Sequence, residues 1–380
     1  MTTSPSRVRG ILFTGLGPIA AVLVALVAGG ILIALTGSDP WEAYKALFDR
    51  AFNGRRAIGE TGVYAAPLIL GGLAFSVAFR AGMFNIGVEG QLMIGGFAAG
   101  LVAALDLGLP RIIHIPLGLL AAIIAGGIYG FIPGLLRATR GAHEVITTIM
   151  LNYLAFRLIT YLIQKSEGWL PVATQSNGTE KAQPEARLPI IFTGTRLHLG
   201  FVIAIVVAII LWYVFARTTL GYKIRTVGLS SGAAAYGGIS WRNTIIIALA
   251  LSGAVAGLAG AGEAMGLHGR MYGTPTGYGF TAIAVGLVGR NNPIAIIFSG
   301  LLFGALSAGA PGMQTVGVSK EIVSVLQGLI ILAVAAFEVA GRIPGLRKLV
   351  APPLPPSGPD RSSDIGIEPE IESTKPSVAI

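Results

Sequence analysis

Long uncharged stretches recur along the chain and are separated by shorter polar segments. A helix that crosses the hydrocarbon core of a bilayer needs about 20 mainly apolar residues. By that measure the sequence predicts ten membrane-spanning helices, at residues 11–36, 62–79, 90–105, 112–136, 145–163, 197–216, 244–261, 271–289, 293–310 and 322–339. The expected fold class is an all-α polytopic membrane protein, because a β-barrel would alternate apolar and polar residues along each strand.

Two of these stretches are interrupted by glycine-rich segments, which occupy matching places in the two halves of the chain. The first interruption covers residues 80–91 (RAGMFNIGVEGQ), and the second covers 263–279, with five glycines and Pro275. Each is followed by a short Gly-rich span. Since an offset of five spans reverses the direction of the chain, we predict an inverted repeat of spans two to five in spans seven to ten. Interrupted helices at corresponding positions of two halves indicate a transport pathway.

Polar residues of the first interruption are the strongest candidates for function. A charge near the middle of a bilayer costs about 3 kcal/mol, so a carboxylate at position 89, in an interrupted span, indicates a functional or structural role. One interpretation is that it lines the pathway. The alternative is that it lies at a cytoplasmic helix start, where a carboxylate caps free backbone amides. The predicted substrate-pathway residues are Phe84, Asn85, Glu89, Gln91, Asn152 and Tyr278.

Composition excludes several classes of protein. Of 380 residues, 53% are hydrophobic and only 12% are charged, whereas soluble domains carry about 25% charged residues. That balance, with a mean hydropathy of +0.74, excludes a soluble enzyme and a disordered scaffold. The chain has no cysteine, four scattered histidines and no Gly-Lys dipeptide. We therefore expect no metal site, no catalytic residue and no Walker A ATPase motif.

Glycine is unusually abundant, with 54 residues. Small residues four positions apart let membrane helices approach each other closely. Such helix contacts are predicted at Gly96, Gly100, Gly253, Gly257, Gly300 and Gly304.

Charge distribution predicts the orientation in the membrane. The net charge is +9, and the short basic loops contrast with longer stretches at 37–61 and 164–196, where acidic residues are interspersed. The positive-inside rule then places both termini in the cytoplasm. In this arrangement Glu263 and His268 lie near the outer face, where water would solvate them. Residues 1–342 are the predicted permease domain, and the proline-rich, acidic residues 343–380 are predicted to be a disordered cytoplasmic tail.

The longest inner loop covers residues 217–243. It is basic, and Ser230–Tyr236 is expected to form a short helix that begins at a serine cap. Its small side chains would suit a groove on a partner protein. From composition alone, an ordinary positive-inside loop explains it equally simply.

Four blocks resemble the membrane subunits of bacterial ABC importers for branched-chain amino acids, ribose-type sugars and nucleosides. They are FNIGVEGQLMIGG (84–96), GAHEVITTIMLNY (141–153), TLGYKIRTVGLSSGAAAYGGIS (219–240) and GLVGRNNPIAIIFSGLLFGAL (286–306). The first block looks most like the nucleoside branch. The resemblance implies a type II importer-like fold with ten helices, two permease subunits around one pathway, two ABC ATPase subunits and a lipoprotein substrate-binding protein.

The resemblance also implies where the ATPase binds. The inner loop matches the segment that docks on the ATPase in this family, although Gly232 stands where relatives usually carry an acidic or polar residue. The docking residues implied are Arg217, Lys223, Arg225, Ser230, Ala233, Ala234, Ala235, Tyr236 and Trp241. ATP and Mg²⁺ would bind to the partner ATPase, and this chain would hold no cofactor.

The expected function is nucleoside uptake by alternating access across the bacterial inner or plasma membrane. The expected partners are the ATPase subunits, a second permease subunit of unlike sequence, the binding protein, membrane lipid and a nucleoside or sugar, but no nucleic acid. One alternative is an ABC permease for a simple sugar such as ribose. From a different class, a proton-coupled secondary transporter would use Glu89 as its proton carrier, and a membrane-embedded enzyme is the third possibility.

Overall fold

The computed structural model describes residues 5–166 and 168–340, and the side chains of residues 20–166 and 168–337. Residues Ala21–Val334 form one compact unit. The predicted tail at 343–380 lies outside the described residues. The α-helices are α1 (Pro5–Leu35), α2 (Pro40–Phe52), α3 (Arg55–Arg80), α4 (Val88–Ala104), α5 (Arg111–Arg140), α6 (Glu144–Lys165), α7 (Gly200–Arg217), α8 (Thr219–Leu229), α9 (Ser231–Tyr236), α10 (Trp241–Ala261), α11 (Tyr278–Val288), α12 (Pro293–Thr315) and α13 (Glu321–Ala340).

Six of the described helices are long and apolar enough to cross a membrane: α3, α5, α6, α7, α10 with its continuation to Leu267, and α12. Four shorter apolar helices accompany them, at Ala20–Leu35, Val88–Ala104, Tyr278–Val288 and Glu321–Phe337. These helices fall within or around the predicted spans. The prediction of a helical polytopic membrane protein is therefore confirmed.

Two local predictions need correction. The span expected at 271–289 is helical only from Tyr278, because the preceding glycines and Pro275 do not support a regular helix. Residues 37–61, expected to be an outer loop, contain the helix α2 and the start of α3. Helix α2 begins where the Asp39 carboxylate accepts hydrogen bonds from Trp41 N at 2.7 Å and Glu42 N at 3.4 Å.

Glycines allow the central helices to touch along their backbones. A Cβ at Gly126 would lie 2.3 Å from the Gly253 carbonyl oxygen, so α5 and α10 are in backbone contact. On α12, a Cβ at Gly300 would lie 2.4 Å from an Ile69 side-chain carbon of α3. The predicted helix contacts at Gly253, Gly257, Gly300, Gly304 and Gly96 are confirmed by such approaches, whereas Gly100 faces Thr179 and Met271, which lie outside the helices.

A small hairpin lies between α6 and α7. Its strands β1 (Val172–Ala173) and β2 (Gly178–Thr179) pair antiparallel, with Val172 opposite Thr179. Three backbone hydrogen bonds attach the hairpin region to the chain that follows α10: Thr179 N to Met271 O at 2.9 Å, Gly273 N to Asn177 O at 2.7 Å, and Ala182 N to Gly269 O at 2.8 Å. The hairpin thus binds the second interrupted segment through its backbone.

Candidate functional site

The two interruptions lead to the same place in the molecule. The first break, defined here as residues 81–87, turns the chain after α3 and leads to the start of α4. The second break, residues 268–277, follows the π-helical turn Gly262–Leu267 and leads to the start of α11. A Cβ at Gly279 would lie 2.3 Å from the Glu89 nitrogen, so the N-terminal ends of α4 and α11 touch.

This junction lies beside the middle of α3. A Cβ at Gly71 would lie 2.5 Å from the Ala282 Cβ of α11 and 3.7 Å from Val88 Cγ1 of α4. Since α3 runs from Arg55 to Arg80, Gly71 is near its centre. The starts of α4 and α11 therefore lie beside the middle of α3.

Glu89 caps a helix, but the helix is α11 and not its own. Its Oε1 accepts hydrogen bonds from Thr276 N at 2.6 Å, Gly277 N at 2.8 Å and the Thr276 hydroxyl at 3.1 Å. Its Oε2 accepts one from Gly279 N at 2.6 Å. The side chain is 2% exposed. The carboxylate is thus stabilised by backbone amides that have no acceptor within their own helix.

The amide side chains of Asn85 and Gln91 hold the first break together. Asn85 Nδ2 donates to Gln91 Oε1 and to the Ser252 hydroxyl, both at 2.9 Å, and Asn85 Oδ1 accepts from Gly87 N at 2.9 Å. The Ser252 hydroxyl in turn donates to Ala74 O at 2.6 Å. Both amides are buried. The network joins the first break to α10 and α3.

Asn152 holds the first break from the other side. From α6, its Oδ1 accepts from Gly90 N at 2.8 Å and its Nδ2 donates to Ile86 O at 3.0 Å. This pair of bonds satisfies backbone groups that the irregular segment leaves without a helical partner. The structure therefore brings Asn85, Gln91 and Asn152 to the start of α4 as buried braces of its backbone.

The two predicted aromatic residues lie on different sides of the junction. Phe84 is half-buried and packs edge-on against Phe75, with ring centroids 5.2 Å apart. Tyr278 is the first residue of α11 and is also half-buried. It is close enough to Tyr64, Glu263 and Arg196 to interact with them electrostatically.

A polar cluster extends from this junction and consists of Glu60, Tyr64, Arg196, Glu263 and His268. We call it the outer polar cluster after the side on which the orientation predicted from the sequence places it. Arg196 forms a bidentate ion pair with Glu60, and this bond raises the pKa of the Arg196 guanidinium. Glu263 is only 3% exposed and lies 3.5 Å from His268 Nδ1. The expectation that water solvates Glu263 was therefore wrong, because the π-helical turn directs it inward. The role of Arg196 had no sequence signal, since its partner is 136 residues away.

The predicted short helix of the inner loop is confirmed as α9. The Ser230 hydroxyl accepts from Ala233 N at 3.2 Å and caps it. Tyr236 is fully exposed, whereas Ala234 is fully buried among residues that include Ala78 and Val227. Ala234 therefore fixes α9 to the protein and does not present a side chain to a partner. The exposed members of the docking set are Arg217, Lys223, Arg225, Ser230, Ala233, Ala235 and Tyr236, and Trp241 is half-buried.

The inner helices are in direct contact with the end of α3. A Cβ at Gly228 of α8 would lie 2.1 Å from the Arg80 carbonyl oxygen, so the two backbones touch. Arg80 Nε donates to Asn291 O at 2.8 Å, in the turn between α11 and α12. Displacement of α8 would therefore act on the first break through Arg80 and on the end of α11 through Asn291.

Comparisons with known proteins identify the family that this chain resembles. A family model for the permease component of branched-chain amino acid transport systems matches residues 58–335. The guanosine ABC transporter permease protein NupP of Bacillus subtilis (strain 168) is 39% identical over 327 residues, covering 84% of this chain and 92% of that protein. The nucleoside ABC transporter permease protein NupB of Lactococcus lactis subsp. cremoris (strain MG1363) is 37% identical, covering 84% and 90%. The glucose ABC transporter permease protein TsgB13 of Haloferax volcanii is 34% identical, covering 84% and 87%.

Proposed function

Because the chain belongs to the family of permease components of branched-chain amino acid transport systems, we propose that it is the membrane subunit of an ATP-driven importer of nucleosides. Family membership makes it a transport component rather than an enzyme. The observation that supports the cargo is the similarity, over most of both chains, to permeases named for guanosine and nucleosides. The second candidate cargo is a simple sugar, which the similarity to a permease named for glucose favours.

The proposed architecture has ten crossings in two inverted halves. Helix packing supports it: α5 packs along α10 and its counterpart α12 packs along α3, while α4 packs on α10 and its counterpart α11 packs on α3. Exchanging the two halves therefore reproduces these packing pairs. With both termini in the cytoplasm, the hairpin and the outer polar cluster face outward, and α8 and α9 face inward.

The proposed pathway passes the junction of α4 and α11. Phe84 and Tyr278 are the half-buried predicted residues there, so they are the side chains placed to meet a passing base or sugar. Asn85, Glu89, Gln91 and Asn152 serve the pathway by fixing the backbone of the two breaks. Aromatic side chains suit a nucleoside, because a base can stack on a ring face.

The proposed importer contains several further subunits. ABC ATPase subunits bind ATP and Mg²⁺ and dock on α8 and α9, a second permease subunit of unlike sequence forms the other half of the pathway, and a lipoprotein binding protein delivers cargo to the outer face. The complex is located in the bacterial plasma membrane. This chain supplies two conformations of different stability, and the ATPase shifts the balance between them.

Cargo is tested with the complete complex in proteoliposomes. We expect ATP-dependent uptake of radiolabelled guanosine to be reduced by unlabelled nucleosides but not by glucose or ribose. Competition by the sugars alone would establish the second candidate instead. A proton-coupled mechanism predicts that an uncoupler abolishes uptake while ATP is present, and we expect no such effect.

Docking is tested with a matched pair of charge insertions on the inner face. Ala235→Glu places a carboxylate on the exposed side of α9, and we expect it to lower the uptake per ATP hydrolysed about tenfold, the usual order for a disrupted interface anchor. Thr139→Glu adds the same charge at an exposed position on α5 and serves as the control. Equal coupling in the two variants would refute the docking assignment.

A further inference from the structure

We infer that Glu89 is a positioning residue that ties the two interrupted helices to each other, so that the starts of α4 and α11 move as one unit during transport. This goes beyond the proposed function, because it assigns a mechanical role that holds for any cargo. Every hydrogen bond of the Glu89 side chain among the described residues comes from Thr276, Gly277 or Gly279.

The backbone amides that lead into α11 and begin it need hydrogen-bond acceptors. The first N–H groups of a helix lack acceptors within the helix. In a span whose surroundings are apolar, such groups need a partner from another element. Here one carboxylate supplies the acceptor for Thr276 N, Gly277 N and Gly279 N. No other side chain in the described part of the protein accepts a hydrogen bond from these three amides.

Glu89 also acts through its negative charge. The N-terminal end of a helix carries a partial positive charge, and here two such ends touch at Gly279 and Glu89. The negative charge of Glu89 lies between them and attracts both. All four of its partners are hydrogen-bond donors, which matches an ionised carboxylate, a group that only accepts. Removing the charge would leave two like partial charges in contact.

Different elements of the protein hold the rest of each break in place. The first break is fixed to α3, α6 and α10 by Asn85 and Asn152. The second break is otherwise bound to the outer hairpin through backbone bonds of Gly269, Met271 and Gly273. Among the described residues, the hydrogen bonds that connect the second break to the start of α4 all end on Glu89. Its loss would therefore separate the motion of the two segments.

The burial of Glu89 argues against a role as proton carrier. A carrier must exchange its proton with water on both sides of the membrane. Glu89 is 2% exposed, and its oxygens are occupied by four donors. A fixed structural charge fits this environment better than a group that alternates between two protonation states.

The experiment uses the natural absence of cysteine. Thr274→Cys in the second break and Met150→Cys on α6 are both exposed and are labelled with nitroxide spin labels. Their distance distribution in the complete complex, measured by pulsed electron resonance, reports how firmly the second break follows the first half. We expect a narrow distribution with Glu89 and a clearly broader one with Glu89→Gln, together with uptake lowered about tenfold, as for lost charge-assisted bonds.

Two further variants make the result decisive. Glu89→Asp keeps the charge but withdraws it by one methylene, so we expect intermediate broadening. Glu144→Gln is the control, because that buried carboxylate pairs with Arg137 at 3.5 Å and contacts no helix end of the second break. A narrow distribution in either folded Glu89 variant, or equal broadening in Glu144→Gln, would overturn the inference. The distance does not depend on which cargo is carried, so its outcome is independent of the proposed function.

Discussion

The first and second breaks are both irregular segments that lead into a short helix, but different groups hold each of them in place. The first is a seven-residue turn, residues 81–87, held by side-chain amides that reach it from within the helical body. The second is longer, exposes Thr274 and Pro275, and is held by the backbone of the outer hairpin and by Glu89. The comparison teaches that the first break is held within the helical body, whereas the second is held by the hairpin and by the single side chain of Glu89.

Among the substitutions that test the two breaks, we expect the largest loss of stability from Asn85→Ala in the first break. This change leaves the Gly87 amide and the Gln91 side chain without their buried partner. Each such loss costs about 1–3 kcal/mol, so we expect the free energy of unfolding in mixed micelles to fall by about 4 kcal/mol.

The control for Asn85→Ala is Asn292→Ala. Asn292 is exposed and caps α12 through a 3.0 Å bond to Ile294 N. Loss of such a cap costs about 1 kcal/mol. Equal destabilisation by the two changes would show that the amides of the first break are not the brace we describe.

The contact between the breaks is tested by Gly279→Ala. The new Cβ would lie 2.3 Å from the Glu89 nitrogen, so the two backbones must part. Overpacking of this kind costs about 2–3 kcal/mol of unfolding free energy. Gly277→Ala is the matched control, because its Cβ would meet nothing within 4 Å.

That control isolates packing from backbone strain. Gly277 has φ +78°, so alanine there costs about 1 kcal/mol through strain alone. If Gly277→Ala proved the more harmful of the two, α4 and α11 would not be in the contact on which the comparison of the two breaks rests.

The smallest expected effect concerns pH on the outer side. His198 precedes α7, its Nδ1 accepts from Gly200 N at 3.1 Å, and a Cβ at Gly266 would lie 2.4 Å from that Nδ1. Burial lowers the pKa of His198 to about 4. Because the folded pKa lies below the ordinary value of about 6.5, the stabilisation is complete above pH 6.5 and is lost as the pH falls towards 4.

We therefore expect the wild-type protein to lose about 1–2 kcal/mol of unfolding free energy between pH 7 and pH 5 through this group. His198→Gln keeps an acceptor for Gly200 N and should remove that loss. If His198→Gln and the wild type lost the same unfolding free energy at acid pH, His198 would not stabilise the π-helical turn before the second break.

Local signals explain what could be predicted from the sequence. The long apolar spans, the short helix after the first break and the cap of α9 at Ser230 depend on neighbouring residues, and the structure has them where expected. The glycine contacts also followed from spacing along single helices. In each case the physical cause lies within one helical element or its flanks.

Long-range pairing explains what could not be predicted. The partner of Glu89 is 187 residues away at Thr276, so the sequence suggested a capping role without revealing the helix that is capped. Ala234 was grouped with its neighbours because α9 contains only small residues before Tyr236 and shows no apolar pattern that marks the inward face. The inward direction of Glu263 depends on the π-helical turn, which changes the face that a regular helix would present.

The most direct test of the account measures nucleoside accumulation in proteoliposomes that contain either the permease chain alone or the complete complex. We predict that the complete complex concentrates radiolabelled guanosine only while ATP is hydrolysed, and that the permease chain alone accumulates none. Accumulation by the chain alone, driven by a proton gradient or by any other source, would contradict the claim that this subunit is a passive pathway worked by an ATPase.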